Sequence, residues 1–516
     1  MRISDRAVSV VPALAGLLGG LWGVRRGSMW QDEATTYAVA GRALPDLWRT
    51  LGNVDAVHGL YYLALHPFIR LAGDALPAEV VIRIPSVLAT AVAAAGVASA
   101  GRRLVSAPAG LYAGLAYAAA PVVVFHAQEA RPYALVAAAV VEATRLLATA
   151  LCDPVRGPST RRTWVRYGAA VAVACLLNLF AVLALAAHAV TVLITTVRGG
   201  GRAVAARWAG AAVGALLAVL PVAWTAFGQR GQVAWLERPG LPEVKALVTR
   251  FAGTGVLLAA TVVFVVLGLM TGAAGDMAGP AGGTAGTAAG RAPGARGRPP
   301  GIAAFAAPLA FLPPALLLAV SQIHPLYQDR YVLFSMAGLT MALGAGLARA
   351  VRLLPRTGRV RAAAALALPA LLLGASLPAQ AAVRRIDSRP DDPAAVARII
   401  ASGRRPGDVV LFLPSIRRLV AEAYPASFLG VRDAALRAGG AASGTLAGRE
   451  LPAGEIAASL GAAPRVWVVS RPHPAPADLS SPRDSAKRLL LRESYRRART
   501  VRVLGYAVRL YTRVSP

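Results

Sequence analysis

The sequence predicts a polytopic α-helical membrane protein that ends in a small α/β domain. Of its 516 residues, 56% are hydrophobic and only 16% are charged. The apolar residues form long runs, and crossing the hydrocarbon core takes about 20 such residues per helix. After about residue 381 these runs give way to short apolar segments that alternate with helical patterns, which is typical of an α/β domain. Most of the chain is therefore expected to be surrounded by lipid and not by water.

The apolar runs predict eleven spans. The stretch 167–197 is too long for one span, and Asn178 near its middle predicts two short spans joined by a tight turn. The first run follows Arg2 and Arg6 but lacks a convincing small-residue cleavage site, so we expect a retained anchor. The other nine spans are single runs at residues 7–24, 81–101, 107–125, 133–151, 208–227, 252–271, 302–321, 331–348 and 362–380.

The basic residues predict the orientation of these spans in the cell membrane. Lys and Arg in short loops are held on the cytoplasmic side, which places the N-terminus in the cytoplasm and the C-terminal domain outside it. This pattern accounts for much of the net charge of +30, so the charge does not indicate nucleic-acid binding. The predicted external segments are 25–80, 126–132, the turn near 178, 228–250, 322–330 and everything after 381.

Two domains are predicted. Residues 1–380 form the transmembrane domain, and their Gly/Ala/Pro-rich segment 272–300 is expected to be a disordered cytoplasmic loop. Residues 381–516 form the external α/β domain, in which "DVVLFLP" and "RVWVVS" predict strands while "DDPAAVARIIASG" and "SAKRLLLRESYRRA" predict helices. This domain has 23 Lys and Arg against 11 Asp and Glu. Such a surface suits anionic lipids or polymers, or simply reflects an arginine-rich composition.

The first external loop is the longest and contains two adjacent acids, Asp32 and Glu33, in "SMWQDEATTY". Functional residues concentrate on loops that a rigid scaffold holds, which favours a catalytic role for Asp32. The alternative is that both acids begin a helix, where they complement its dipole. Successive residues on a helix point in different directions. Glu33 therefore has its own alternative to a catalytic role, which is a structural one.

The same loop contains "HGLYYLALHPFIRLAG", which is too short to cross the bilayer. We interpret it as helices lying in the membrane interface, with Tyr61 and Tyr62 at headgroup depth. His58 opens this segment, and without partners at ligand spacing it does not indicate a metal. Cys152 and Cys175 lie on different segments and indicate neither a disulfide framework nor a metal site. We expect no cofactor, and a divalent metal stays an open alternative.

Two other external loops combine acids, arginines and tyrosines. "FHAQEARPYA" contains Glu129, Arg131 and Tyr133. Ionisable groups beside hydrocarbon are costly and are usually paired or functional, so these loops predict a polar cavity that opens outward. A carboxylate can act as general base, and guanidinium groups bind phosphate. The other loop, "QIHPLYQDRYVLF", contains Asp329, Arg330 and Tyr331.

This set of groups suits transfer from a phosphate leaving group to a hydroxyl. The sequence has no Gly-rich nucleotide cradle, so a lipid phosphate is a better donor than a nucleotide sugar. The alternative role of Arg131 and Arg330 is to anchor their helices at the membrane interface by snorkelling. The alternative for Arg83, in "VIRIPS", is that it only marks the boundary of a span. Glu142 and Arg145 are expected to pair on one helix. His188 is expected to be a packed, hydrogen-bonded core residue.

Five segments together resemble the GT-C glycosyltransferases of the protein O-mannosyltransferase and aminoarabinose transferase type, glycosyltransferase family 39, over approximately 7–349. Such enzymes take a sugar from a polyprenyl phosphate on the outer face, with inversion and an essential acid in the first loop. An actinobacterial source is expected. The chain has "LNLF" where the family often has a His-Tyr pair, and "VHGLYY" where "HPPLYY" is familiar. The five segments are "WQDEATTYAVAGR", "DAVHGLYYLALHPFIRLAG", "IRIPSVL", "HAQEARPYAL" and "YQDRYVLF".

The resemblance implies a role for each site residue. Asp32 is the catalytic base, Glu33 its partner, and Glu129 the second acid. The donor phosphate is assigned to Arg131, Arg330 and Arg83. The substrate pocket is assigned to His58, Tyr61, Tyr62, Tyr133, Asp329 and Tyr331.

The predicted function is that of a membrane glycosyltransferase of the cell envelope. It moves a sugar, mannose or a pentose, from a polyprenyl phosphate to a protein, lipid or glycan acceptor. The first alternative is a transporter or flippase for a lipid-linked intermediate, but no repeat between halves is evident, and the acids lie at one face and not at the midplane. The second alternative is an inactive scaffold whose C-terminal domain binds cell-wall polymer.

Overall fold

The computed structural model describes residues 4–72, 75–152, 161–200, 202–233, 236–272, 300–355 and 358–514. Apart from its two end residues, the loop predicted to be disordered at 272–300 lies outside these ranges. The chain forms two compact units. Unit 1 comprises Met1–Trp22 and Ile84–Val383. Unit 2 comprises Gly23–Arg83 and Arg384–Pro516.

Most of the chain is α-helical. Within the described ranges, the helices before residue 383 are α1 (Asp5–Leu21), α2 (Gln31–Ala40), α3 (Leu44–Asn53), α4 (Gly59–Ala72), α5 (Ala78–Leu104), α6 (Ala107–Ala119), α7 (Pro121–Ala127), α8 (Tyr133–Cys152), α9 (Arg161–Leu177), α10 (Leu183–Thr195), α11 (Arg202–Gly228), α12 (Leu241–Ala252), α13 (Gly255–Leu269), α14 (Ile302–Val320), α15 (Met336–Leu353) and α16 (Gly358–Ala382).

The C-terminal segment alternates helices and strands. Its helices are α17 (Pro393–Gly403), α18 (Leu419–Ala423), α19 (Gly440–Ser443), α20 (Ala453–Leu460), α21 (Pro476–Ser480) and α22 (Pro482–Ser494). Its strands are β1 (Val409–Leu413), β2 (Arg432–Asp433), β3 (Leu436–Ala438), β4 (Arg449–Glu450), β5 (Arg465–Ser470), β6 (Tyr495–Val503) and β7 (Tyr506–Arg513).

Unit 1 contains the membrane-crossing helices. In the described part of the chain, seven helical runs are long and apolar enough to cross a bilayer, and two bent pairs raise the number to as many as nine. The bent pairs are α6 with α7, at 60°, and α12 with α13, at 76°. Two further helices that coincide with predicted spans, α1 and α9, have 17 residues each. The prediction of a polytopic helical membrane protein is confirmed.

The turn predicted at Asn178 is also confirmed. Helix α9 ends at Leu177, and a short 3₁₀ segment, Leu179–Val182, leads into α10. The Asn178 side chain accepts a hydrogen bond from the backbone N–H of Phe180 at 2.9 Å. An Asn at this position stabilises the turn because its side chain satisfies an N–H that the new helix leaves unpaired.

Helices α13 and α15 approach closely because glycines face each other's backbone. A Cβ atom on Gly346 would lie 1.8 Å from the Phe264 carbonyl oxygen, and one on Gly268 would lie 1.9 Å from that of Ala342. Small residues permit such contacts between membrane helices, where van der Waals packing replaces the hydrophobic effect as the driving force. Larger side chains at either glycine would separate the two helices.

The polar side chains expected to pair within the spans do so. Arg145 donates two hydrogen bonds of 2.7 Å to Glu142. His188 is 2% exposed, with Nδ1 at 2.9 Å from the Tyr167 hydroxyl and Nε2 at 3.0 Å from the Thr144 hydroxyl. Both predictions are confirmed. The costly burial of each polar group is thus offset by hydrogen bonds inside the unit.

Unit 2 is built around a five-stranded sheet of order β2-β1-β5-β7-β6. Strand β1 is parallel to β2 and β5, whereas β7 is antiparallel to β5 and β6. Alternate residues of β1 enter two separate hydrophobic cores, one with α20 and α22 and the other with α17 and α18. All five residues of β1 are buried, as expected for a strand covered on both faces.

The strands and helices predicted for the C-terminal segment are present, with one correction. The helix predicted over "SAKRLLLRESYRRA" ends at Ser494, and Tyr495 begins strand β6. Arginine is a good helix former, so the local signal favoured a longer helix. Tyr495 instead pairs with Arg513 of β7, and this pairing overrides the local preference.

Within unit 2, the segment predicted as the first external loop, residues 25–80, packs against the C-terminal segment. The Arg42 guanidinium donates hydrogen bonds of 2.9 Å to the carbonyl oxygens of Thr445 and Leu446. The Tyr424 hydroxyl donates to Glu79 at 3.0 Å. The segment predicted to lie in the interface is helical, as α4. One compact unit therefore contains both the acid pair and the α/β sheet.

Candidate functional site

The acid pair lies in the first turn of α2, and its two members have different surroundings. Glu33 is fully buried, whereas Asp32 is half-buried. The Glu33 carboxylate accepts a hydrogen bond from the Trp30 backbone N–H at 3.4 Å, which helps to cap the helix. The Asp32 backbone carbonyl accepts from the Thr36 hydroxyl at 2.9 Å. Of the two residues, only Asp32 is partly exposed to solvent.

Arg83 forms a buried bidentate pair with Glu33. Its Nε donates to Glu33 Oε1 at 2.8 Å, and its Nη2 donates to Oε2 at 2.6 Å. The remaining guanidinium N–H groups donate to the backbone carbonyls of Val24, Gly27 and Ser28 at 2.7, 3.1 and 3.0 Å. These five hydrogen bonds use all five guanidinium donors. The arrangement favours a structural role for Arg83, and for Glu33, over the roles that the resemblance implies.

A third carboxyl group, that of Asp391, lies next to the acid pair in unit 2. Its Oδ1 accepts from the Gln31 backbone N–H at 2.8 Å, at the start of α2, and its Oδ2 lies 3.3 Å from Arg417 Nη1. Burial raises the pKa of Asp391 to about 6, and the negative charge of Asp32 adds to this, although the Gln31 N–H and Arg417 oppose it. Two interacting carboxyl groups therefore share this end of α2.

His58, Tyr62 and Asp55 form a hydrogen-bonded group. His58 Nδ1 lies 2.6 Å from Asp55 Oδ1, and the Tyr62 hydroxyl donates to Asp55 Oδ2. Asp55 has a φ of 62°, a left-handed conformation that Asp tolerates better than most residues. The ring of Tyr61, also buried, lies 6.5 Å from that of Tyr62. The three predicted pocket residues of this loop are therefore neighbours, with Asp55 as an additional member.

In unit 1, Glu129 is paired with a histidine that the motif contains. His126 Nδ1 lies 2.6 Å from Glu129 Oε2, and both side chains are buried. The Ser86 hydroxyl donates to the Glu129 backbone carbonyl at 2.8 Å and to that of Arg131 at 3.4 Å. Arg131 is itself only 8% exposed. Hydrogen bonds from α5 thus fix the backbone of this loop at two carbonyl groups.

The tyrosines of the two short loops predicted to be external meet in one aromatic cluster within unit 1. The Tyr331 ring stacks on Phe180 with centroids 4.6 Å apart and lies 6.2 Å from Tyr133. Tyr133 also contacts His126 edge to face at 5.4 Å. The Arg330 guanidinium lies over the Tyr133 ring, 5.8 Å from its centroid. Cation–π attraction of this kind positions the arginine.

Asp329 lies at the edge of this cluster. It accepts from the Arg330 backbone N–H at 2.8 Å and forms an ion pair of 2.5 Å with Arg250. The loops predicted at 228–250 and 322–330 are therefore adjacent, as the shared external side predicts. Gln322, which donates to the Pro239 carbonyl at 2.9 Å, makes a second link between them.

The structure thus groups the predicted site residues into two sets, one in each unit. Unit 2 holds Asp32, Glu33, His58, Tyr61, Tyr62 and Arg83. Unit 1 holds Glu129, Arg131, Tyr133, Asp329, Arg330 and Tyr331. Within unit 1 the side chains of the two short loops contact one another, and the polar cavity predicted to open outward stays a prediction.

Sequence reasoning missed several members of these groups. Asp55 and His126 each lie three residues from a predicted partner, a spacing that could have indicated the pairing. Phe180 lies in "LNLF", where the family often has a His-Tyr pair, and its stacking on Tyr331 places that turn in the aromatic cluster. Asp391 and Gln31 are 360 positions apart in the sequence, so no local pattern could have indicated their contact.

Among the described residues, no group of three or more His, Cys, Asp and Glu side chains is arranged to hold a metal ion. The carboxylates of Glu33, Asp55, Glu129 and Asp329 are instead engaged with arginine, histidine, tyrosine or backbone N–H groups. The chemistry that these groups can support is therefore proton transfer by a carboxylate and anion binding by guanidinium groups.

Two crystal structures of ArnT from Cupriavidus metallidurans share the fold of this chain. The apo structure aligns with a TM-score of 0.65 at 14% sequence identity, over 97% of each chain. The structure bound to undecaprenyl phosphate aligns with a TM-score of 0.58 at 14% identity, over 98% of each chain. No protein-family model and no curated protein sequence matches the chain. This likeness confirms the predicted fold class, a polytopic helical membrane protein with a small C-terminal α/β region.

Proposed function

We propose that the protein is a membrane glycosyltransferase that moves a sugar from a polyprenyl phosphate to a hydroxyl group on the outer face of the cell membrane. The observation that carries this proposal is the end-to-end fold match with a structure bound to undecaprenyl phosphate, over 98% of each chain. A half-buried aspartate, Asp32, and an arginine set against an aromatic ring, Arg330, supply the two kinds of group that the reaction requires.

In the proposed reaction, Asp32 accepts the proton of the acceptor hydroxyl. The hydroxyl oxygen then forms a bond to the anomeric carbon of the sugar while the bond from that carbon to the phosphate oxygen breaks. The electron pair leaves with the polyprenyl phosphate, and the single displacement inverts the anomeric centre. The atoms and charges of this reaction balance without a cofactor. Repeating the transfer assay with EDTA tests whether the reaction requires a divalent metal.

The donor phosphate is assigned to Arg131 and Arg330 on the basis of the family resemblance. Guanidinium binds phosphate through paired N–H donors and keeps its charge. The nearly buried position of Arg131 and the ring beneath Arg330 support this assignment, because restrained side chains lose less entropy on binding. In unit 1, Tyr133 and Tyr331 are assigned to the sugar pocket.

Substituting either phosphate-binding arginine should weaken the donor interaction. A hydrogen bond to a charged group contributes about 1.5–3 kcal/mol, so Arg131→Gln or Arg330→Gln should raise the donor KM about tenfold or more. The matched control is Arg145→Gln, whose guanidinium pairs with Glu142 inside a span. Equal donor KM values in all three variants and the wild type would remove the phosphate assignment.

The pH profile of transfer should contain a contribution from Asp391. As pH rises through about 6, this carboxyl group ionises and places a second negative charge beside Asp32, which favours uptake of the acceptor proton. Wild-type transfer should therefore rise across this pH range, and Asp391→Asn should lose that component. The surrounding charges from Arg417 and Asp392 remain in the variant. An unchanged profile would show that Asp391 does not influence the base.

The deciding experiment uses the purified full chain in liposomes with a labelled polyprenyl phosphate sugar, tested separately with mannose and with a pentose. Transfer of label to a hydroxyl acceptor supports the proposal. Movement of labelled lipid between leaflets without transfer would favour the flippase alternative instead. Mass spectrometry of cell-envelope glycans and glycoproteins, with and without the gene, then identifies the sugar and the acceptor.

A further inference from the structure

The C-terminal part of unit 2 contains a cavity of about 720 Å³ that the proposed reaction does not use. It opens beside the carboxyl end of β1, where Ser415 follows the strand by two residues. In sheets of this type, ligands bind in the crevice outside the carboxyl ends of parallel strands. The lining consists of Ser415, Arg437, Ala438, Ala442, Ser443, Gly448, Arg449, Glu450 and Arg483.

Three arginines line this cavity from three different elements. Arg437 lies on β3, Arg449 on β4 and Arg483 in the first turn of α22, and all three are exposed. In the described part of the chain, none of them forms an ion pair or a side-chain hydrogen bond. Three unpaired guanidinium groups facing one cavity produce a positive potential that attracts anions.

The one carboxylate in the lining does not neutralise these arginines. Both oxygens of Glu450 accept hydrogen bonds of 2.8 Å from the buried Lys487 ammonium, and Oε1 also accepts from Arg418 at 2.8 Å. Lys487 is held in turn by Asp484 at 3.1 Å. Glu450 is thus committed to a buried network beneath the cavity, and the arginines stay available for a ligand.

Two of the arginines lie on a short pair of antiparallel strands, β3 and β4, which approach each other closely. Strands β3 and β4 pair with Leu436 opposite Glu450 and Ala438 opposite Arg449. Gly448 has a φ of +84°, and a Cβ atom there would lie 2.7 Å from the Ala438 carbonyl oxygen. Only glycine adopts this conformation in so little space. The guanidinium groups therefore project from a defined scaffold.

We propose that this cavity binds a saccharide that carries a phosphate group. Guanidinium groups match phosphate oxygens in geometry and charge, and the hydroxyl of Ser415 adds a partner for sugar hydroxyls. The volume lies in the range of small-molecule sites, about 300–1,000 Å³, and exceeds what a single phosphate would fill. The lining has no aromatic ring on which a nucleotide base could stack and no large apolar side chain to receive a lipid chain.

The test measures binding to the purified full chain in detergent by isothermal titration calorimetry, with glucose 6-phosphate, glucose and orthophosphate as probes. We expect saturable binding of glucose 6-phosphate, at least tenfold weaker binding of orthophosphate, and none of glucose. The triple variant Arg437→Gln, Arg449→Gln and Arg483→Gln should lose glucose 6-phosphate binding at least tenfold. No sugar transfer is measured, so the result is independent of the proposed glycosyltransferase activity.

The matched control removes three positive charges from the five-stranded sheet, away from the cavity lining. Arg497, Arg499 and Arg502 are exposed on β6, and their replacement by Gln changes the net charge by the same amount. Glucose 6-phosphate should bind this control as it binds the wild type. Equal loss in both triple variants would reduce the effect to general electrostatic attraction and overturn the proposal. Absence of saturable binding to the wild type would overturn it, as would orthophosphate binding as tightly as glucose 6-phosphate.

Discussion

Asp32→Asn should lower sugar transfer by about 10²- to 10⁴-fold, the usual contribution of a general base. The amide has nearly the shape of the carboxylate but cannot accept the acceptor's proton. The backbone of this turn should be unaffected, because the bond that Thr36 donates goes to the Asp32 carbonyl oxygen of the main chain. The measurement is transfer of labelled sugar by purified variant in liposomes, with folding checked by thermal unfolding.

The control for this substitution is Asp46→Asn in the same loop. Asp46 forms a partly exposed ion pair of 2.8 Å with Arg49 on α3, and such pairs contribute about 0–1 kcal/mol. This variant should transfer sugar at the wild-type rate. Near-normal transfer by well-folded Asp32→Asn would remove the base assignment, while the fold comparison would stand.

Glu33→Gln should destabilise unit 2 by about 3–5 kcal/mol, because it leaves the buried Arg83 cation facing a neutral amide. Glu33 is fully buried and the Arg83 side chain is 3% exposed, so solvent cannot replace the lost charge. For a domain of this size the loss corresponds to a fall in the unfolding midpoint on the order of 10 °C. Thermal unfolding of the full chain in detergent, followed by circular dichroism, measures it.

Two further variants give this prediction its controls. Arg83→Gln should be destabilising to a similar degree, since it leaves the Glu33 carboxylate buried without its cation. Asp46→Asn, which breaks a surface pair in the same unit, should change the midpoint by no more than a few degrees. If Glu33→Gln melts like the wild type and loses transfer activity instead, Glu33 acts in catalysis as the resemblance implies.

The asymmetry between Asp32 and Glu33 was predictable in kind but not in detail. Adjacent positions on a helix point in different directions, so the sequence could indicate that the two acids have different surroundings. It could not show that Arg83 from α5 would meet Glu33 with all five of its donors committed. That outcome depends on the path of the backbone between Val24 and Ser28.

The membrane character, the break at Asn178 and the strands of the C-terminal segment follow from the order of apolar and polar residues. Hydrocarbon excludes unpaired backbone groups, so long apolar runs become helices whatever their neighbours are. Strand β1 is apolar throughout because both faces are covered. Patterns of this kind are local, and they can therefore be recognised in a single sequence.

Contacts between distant segments cannot be recognised from the sequence in this way. The carboxyl group of Asp391 lies at the start of α2. The arginines of the C-terminal cavity come from three separate elements. The segment "YRRA" forms a strand and not a helix because it pairs with β7. Each depends on which surfaces meet after the chain has folded, and burial and charge at those surfaces then set the pKa of Asp391 and the positions of the arginines. Local residue order accounts for the spans and strands, whereas folding created the neighbours that give Asp32 and the cavity their chemistry.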